Sequence, residues 1–349
     1  MGNTGAGNFF EDFRLGQILR HATPRTLTTG DVALYTGLFG SRFAVQSSDA
    51  FARSIGYRDA PIDDLLVFHV VFGKTVPDVS LNAVANLGYA ECRFLAPVYP
   101  GDTLTALSEV IGLKENSSRK TGIVYVRSRG INQDGKDVLT YARWVMVRKR
   151  DETAAAPPEH VPQLLDAIDA GALGGACPQI DGKAYDFALA GSARRHADYG
   201  IGEKIDHVDG VTVEEAEHQI ATRLYQNPAR IHFNQFAAAN DRFGRRLIYG
   251  GHAISLARAL SFNGLANAFH MAGINGGRHV APLFAGDTVF AWSEVLAKVE
   301  LHGRVDVGAI RLRTIAAKNK MCAEFPVKLG DEYDPAVILD LDYWVLMPR

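Results

Sequence analysis

The chain has 349 residues, 47% of them hydrophobic and 22% charged, which is ample apolar material for a buried core and enough length for two domains. A formal net charge of -2 without any long block of Lys or Arg argues against nucleic acid or an anionic membrane surface as partner, and for a small ligand or another subunit. Cys92, Cys177 and Cys322 lie far apart with no Cys-x-x-Cys pair, and no apolar run reaches the ~20 residues of a membrane span, so the expectation is a reduced, cytoplasmic protein without a disulfide framework.

From the N-terminus onward the chain repeats itself. "DFRLGQILRHATPRTLTTGDVALY" from Asp12 aligns with "DYGIGEKIDHVDGVTVEEAEHQIA" from Asp198, an offset of 186 that also pairs Gly16 with Gly202, His21 with His207, Thr26 with Thr212 and Gln46 with His232. Further on, "RFLAPVYPGDTLTALSEV" from Arg93 matches "RHVAPLFAGDTVFAWSEV" from Arg278 at an offset of 185, which one deletion explains. Such self-similarity means two homologous domains. They are placed at residues 1–150 and 196–349, joined by an Ala-, Pro- and Gly-rich linker over 151–195.

Each half offers the same order of elements. A turn carrying Gly16 or Gly202 leads into a helical segment for which Thr26 or Thr212 is the expected N-cap, and a second helical segment follows. Then comes an apolar helix, which in the second half starts at paired glycines and shows Ile254, Leu256, Ala257 and Leu260 on its buried stripe. The rest reads as strands: "TLTALSEVIGL", "GIVYVRSRGIN" and "VLTYARWVMVRK" in the first half, "TVFAWSEVLAKVE", "VGAIRLRTIAAK" and "MCAEFPVKL" in the second. One apolar helix followed by consecutive strands predicts an α+β fold, an antiparallel sheet wrapped around the helix, twice over.

Two stretches of the second half carry a recognisable pattern, "NPARIH" (Asn227 to His232) and "FGRRLIYGG" (Phe243 to Gly251). They resemble the MaoC-like, (R)-specific enoyl-CoA hydratases, whose motif D-x-N-P-x-H is followed by a Phe and a segment ending in H-G-M. Within that family, "LFGSRFAVQSSDAFARSIGYRDAPIDDLLVFH" and "QNPARIHFN" are similar to the mesaconyl-CoA hydratases. The resemblance implies a double hot dog acting on an acyl-CoA thioester without a separate cofactor. It also implies reversible hydration of mesaconyl-CoA to β-methylmalyl-CoA, within acetyl-CoA assimilation. Alternatives that stay open are hydration of fatty enoyl-CoAs, thioester hydrolysis and non-catalytic acyl-CoA binding, and pairing with further copies of the chain is compatible with all of them.

Carried over position by position, the resemblance gives His232 the family's histidine and Gly250 its glycine, whereas Asn227 stands where the family has aspartate. In the first half Ser41, Gln46 and Leu65 or its neighbours take the equivalent places, so that half has lost the chemistry and keeps structural and acyl-CoA-binding roles. Hydrating an unsaturated thioester needs a base for water, a proton for the α carbon and donors for the enolate-like oxygen. Imidazole at His232 suits the base. The amide of Asn227 can hold the water, and the N–H of Gly250, at a helix N-terminus, can face the oxygen. Gly251 beside it is a further substrate-binding position, although paired glycines also serve close packing. Asn227-Pro228 reads equally as a helix start. Arg42, Arg230 and Arg278 are the candidates for a free carboxylate or the CoA phosphates, with Arg230 expected on the opposite helix face from His232. The histidines show no metal-ligand spacing, so no metal is expected.

Overall fold

The structure, a computed structural model, describes residues 6–349. In the first half, strand β1 (Ile18–Thr26) leads to helix α1 (Thr29–Phe39), short helices α2 (Ala44–Ser47) and α3 (Asp49–Ser54), and the helix α4 (Asp64–Thr75). Strands β2 (Ala83–Phe94), β3 (Thr103–Glu115), β4 (Thr121–Ile131) and β5 (Asp137–Arg148) follow. The second half repeats this with β6 (Lys204–Thr212), α5 (Glu215–Leu224), α6 (Arg230–Phe233), α7 (Gln235–Ala238), α8 (Gly250–Leu260) and α9 (Phe262–Leu265). It closes with β7 (His270–His279), β8 (Thr288–Glu300), β9 (Val307–Lys318), the two-residue strands β10 (Lys328–Leu329) and β11 (Glu332–Tyr333), and β12 (Val337–Pro348).

Ten strands form one antiparallel sheet in the order β1-β3-β4-β5-β2-β7-β12-β9-β8-β6. The halves meet where β2 pairs with β7, Tyr89 opposite Gly277 and Arg93 opposite Gly273. Strand β3 alternates Leu104, Ala106, Ser108 and Val110 inward with more exposed residues between, as a sheet covered on one face requires. Helix α4 is buried from Leu65 to Thr75 and α8 from Gly251 to Leu260, so each is the hydrophobic axis its half wraps around. Leu66 and Phe68 of α4 share one apolar core with Ile254 and Leu256 of α8.

The repeat extends to buried polar wiring. His21 meets Ser108 at 2.8 Å, and Ser108 meets Ser128 at 2.7 Å. His207, Ser293 and Thr314 reproduce these contacts at the same two distances. Both edge strands also carry the same kind of irregularity: four steps along β1 from His21 to Arg25 pass two steps of β3, from Ala106 to Leu104, and four steps along β6 from Asp206 to Gly210 pass two of β8, from Trp292 to Phe290.

Several expectations need correction. Thr26 and Thr212 end strands and cap no helix: their hydroxyls meet those of Thr103 and Thr288, at 2.7 and 2.8 Å. Thr28 caps α1 instead, in a capping box with Asp31, while Glu214 precedes α5. "MCAEFPVKL" is mostly loop, because Phe325 within it adopts positive φ and Pro326 turns its carbonyl to the indole N–H of Trp292 at 3.0 Å. The strand that closes the second half is β12, which the sequence reading passed over, as it did β1, β2, β6 and β7. Residues 151–195 carry little regular structure but are packed. Ile168, Leu173, Cys177, Ile180 and Tyr185 are buried against Phe269, Ala309 and Leu346, and the N–H of Ile180 donates to Asp306 at 2.7 Å.

Candidate functional site

The stretch that joins α5 to α8 folds over the N-terminus of α8. Asn227 is 4% exposed, and its Oδ1 accepts the N–H of Ala229 at 3.1 Å. Helix α6 starts at Arg230 with Ala229 as N-cap, so Asn227 makes a turn just ahead of the helix and does not cap it. Two residues into α6, the Nδ1–H of His232 donates to the carbonyl of Leu247 at 2.8 Å, while the N–H of Leu247 donates to Ile231. A neutral imidazole that gives its proton at Nδ1 keeps a lone pair at Nε2. Burial holds it neutral: it pushes the His232 pKa down to about 4, against the opposing pull of the Leu247 carbonyl.

Gly250 is the first residue of α8, with Tyr249 as N-cap. The N–H of Tyr249 donates to His218 Nε2 at 2.9 Å, which pins the bend. Among the described residues nothing accepts the N–H of Gly250 or Gly251, so the start of α8 presents unclaimed donors at the positive end of its dipole. Both glycines are also sterically required. A Cβ on Gly250 would overlap the His279 ring, and one on Gly251 would overlap the Tyr249 and His69 rings. Gly251 is therefore a packing position.

Around this point stand five imidazoles, His69, His218, His232, His252 and His279. Burial lowers all of them, to about 3, 2, 4, 3 and 4 in that order. The rings of His218 and His232 meet edge-on at 6.0 Å, those of His218 and His252 at 5.4 Å, and those of His232 and Tyr249 at 5.5 Å. The first half reaches in as well. Tyr35 donates to Ser255 Oγ at 2.9 Å, His69 Nε2 meets the same oxygen at 2.9 Å, and the Tyr89 hydroxyl lies 3.3 Å from His279 Nε2. Among the described residues no group of three or more His, Cys, Asp or Glu is arranged to hold a metal ion.

His279 also lines a cleft of ≈ 730 Å³ between the halves, together with Asn86, Trp144, Arg278 and Tyr333. Both ends of the Asn86 amide are buried without partners among the described residues. Of the candidate arginines, Arg278 is exposed on this cleft. Arg230 is exposed at the start of α6. Arg42 lies at the other end of α8, where it donates to Asn263 Oδ1 at 2.9 Å and stacks on Phe262. The structure thus gathers His232, Gly250 and Gly251, with Arg278 on the adjoining cleft, and leaves Arg42 apart. Asn227 makes no hydrogen bond to His232.

The equivalent place in the first half is closed. Ser41 and Gln46 line only a small void; Gln46 Nε2 donates to the Phe269 carbonyl at 2.6 Å. Asp64, at the position of Gly250, accepts the N–H of Met271 at 2.8 Å and meets His270 Nδ1 at 3.0 Å. A carboxylate thus sits where the second half leaves room.

The sequence reading missed His218, His252, His279, Tyr89 and Tyr249. The repeat held a signal for the histidines: His218, His252 and His279 align with Val32, Leu66 and Phe94, so they exist only in the half that kept His232.

The chain matches the sequence profile described as mesaconyl-CoA hydratase over residues 2–331. It is 62% identical, over 99% of its length and 98% of the relative's, to the β-methylmalyl-CoA dehydratase of Chloroflexus aurantiacus, and 58% identical over 99% of both chains to the mesaconyl-CoA hydratase of Cereibacter sphaeroides. A crystal structure of a MaoC-domain dehydratase from C. aurantiacus superposes with a TM-score of 0.97 at 61% identity, covering 100% of this chain and 99% of that one. A Mycobacterium tuberculosis protein described as a double hot dog shares the fold, with a TM-score of 0.74 at 24% identity over 98% and 99% of the two chains. The single large sheet around two central helices, with one open and one filled helix N-terminus, is that of a double hot dog, and the chain belongs to the mesaconyl-CoA hydratase family.

Proposed function

We propose that the chain is a hydro-lyase that adds water to mesaconyl-CoA to give β-methylmalyl-CoA and runs the reverse dehydration, with the chemistry confined to the second half. The observation that carries this reading is the His232 ring. Its Nδ1–H is spent on Leu247, which leaves Nε2 to accept a proton, close to the unclaimed N–H groups that open α8. His232 Nε2 takes a proton from water as the oxygen bonds to the β carbon. The π electrons move toward the thioester oxygen, where the Gly250 N–H stabilises the developing charge. The imidazolium then returns the proton to the α carbon, and dehydration retraces these steps. The scheme asks for no cofactor beyond the CoA of the substrate.

Asn227 is read as a water-holding residue: its Oδ1 is engaged by Ala229, but a carbonyl oxygen has a second lone pair. The cleft suits the CoA arm, with Arg278 available to its phosphates. Buried, free thiols at Cys92, Cys177 and Cys322 suit a reducing cytoplasm. The test is loss of enoyl-thioester absorbance with mesaconyl-CoA, crotonyl-CoA and longer enoyl-CoAs, alongside a free-thiol assay. Fast turnover of mesaconyl-CoA supports the reading; a preference for longer enoyl chains, or thiol release, overturns it.

A further inference from the structure

The site holds a second imidazole for which the scheme above has no role. His279 stands at the end of β7, opposite Leu339 of β12, at the inner wall of the cleft. Its ring lies across Gly250, filling the space a Cβ would take, so the residue that opens α8 is glycine in part to admit this ring. The Tyr89 hydroxyl, on a strand of the other half, approaches Nε2 at 3.3 Å with the two rings nearly perpendicular, at 85°. Among the described residues nothing pairs with Nδ1. Burial lowers the pKa of this ring, and a charge on nearby His232 would lower it further, so it stays neutral.

A neutral imidazole has one N–H and one lone pair. In the tautomer where the Tyr89 O–H donates to Nε2, the imidazole proton is on Nδ1, which no described residue claims. Resting on the proposed hydratase reading, we infer that His279 is a further catalytic residue: a neutral N–H donor that, beside the Gly250 N–H, hydrogen-bonds the thioester oxygen as it gains charge, with Tyr89 as the residue that positions it. His279 transfers no proton in this step. The proton that leaves water still goes to His232 and returns to the α carbon, so the atoms balance as before. A neutral donor is suited to the task, because a charged imidazolium in the same place would raise the cost of protonating His232.

Removing one such donor lowers turnover by about 10²–10³-fold in enzymes that stabilise an oxyanion. His279→Ala should therefore drop kcat by about 10²-fold with KM changed less than about threefold, and His279→Gln, which keeps an N–H, should recover about tenfold over Ala. Tyr89→Phe should lower kcat less than His279→Ala. A thermal melt of each variant separates folding defects from chemistry. Turnover of His279→Ala within about threefold of wild type, a rise confined to KM, or equal losses in Ala and Gln would each overturn the assignment.

A second readout does not depend on turnover. Mesaconyl-CoA carrying a ¹³C thioester carbonyl, bound to the His232→Ala protein, should show its carbonyl stretch shifted to lower wavenumber than in water, and the shift should shrink when His279→Ala is added. An undiminished shift would overturn the role of His279. Substrate consumption in the His232→Ala background would instead count against His232 as base, so the two failures are distinguishable.

Discussion

His232 is the residue on which the chemistry turns, and its environment makes separable predictions. His232→Ala should lower kcat by about 10²–10⁴-fold, the usual worth of a positioned base, while binding of the CoA ester survives. Asn227→Ala should lose less activity but also stability of about 1 kcal/mol, since its Oδ1 holds the turn before α6. Steady-state kinetics and a chemical melt on both variants check this order, and the reverse order in kcat would point to another base. The five lowered imidazoles also set how stability responds to pH. Each has a folded pKa below its unfolded value near 6.5, so the unfolded chain binds more protons in between. Their contribution is fully present above pH ~6.5 and is lost as pH falls through about 4 toward 2, so the melting temperature should decline from pH ~6.5 downward. A melting temperature flat from pH 7 to 4.5 would contradict the buried, neutral cluster. At this scale the sequence was partly legible. His232 and Gly250 stood in a linear motif, whereas His218, His252, His279 and Tyr89 come from four different elements and converge only once the sheet closes.

The two central helices show how one element design gave an open and a closed end. At α8 the first residue is Gly250, and donors face outward; at α4 the matching position is Asp64, whose carboxylate ties the helix start to Met271 and His270 of β7. Asp64→Ala would leave the Met271 N–H without its acceptor and should cost about 1–3 kcal/mol, the penalty for an unsatisfied buried donor. Hydration kinetics should stay within about twofold of wild type, which an activity assay beside a denaturant titration checks. The helices themselves were readable from apolar runs, and β3, β4, β5, β8 and β9 from period-2 patterning. β12 was not, because nearly all its residues are buried on both sides and its VILDLDYWVLMP pattern competes with the apolar "MCAEFPVKL" upstream, where the positive φ of Phe325 breaks the run into loop. β1 and β6 were hidden for another reason: their Thr ends look like helix caps until the cross-strand threonine pairs are seen.

At the scale of the whole molecule the repeat is legible in sequence, but the dependence of one half on the other is not. The site takes Tyr35, His69 and Tyr89 from the first half, and the core runs through from α4 to α8. A fragment holding residues 196–349 alone would expose β7 along the face it pairs with β2, together with the buried surface of α8. It should fail to give a cooperative melt or to hydrate substrate, and equimolar addition of residues 1–150 should restore neither to more than a small fraction. Full activity of the isolated second half would refute a shared site.

The matching irregularities in β1 and β6 have a consequence for how copies of this chain meet. A ten-stranded sheet leaves two outer strands whose backbone groups could template another chain, the hazard that leads to fibrous growth. Here both borders are interrupted within one residue of the equivalent place, His21 to Arg25 and Asp206 to Gly210, and at the second Val208 takes a positive φ that no regular ladder tolerates. The duplication copied this interruption along with the strand. Fusing two units therefore removed two borders by joining β2 to β7 and left the remaining two already blunted against endless strand addition.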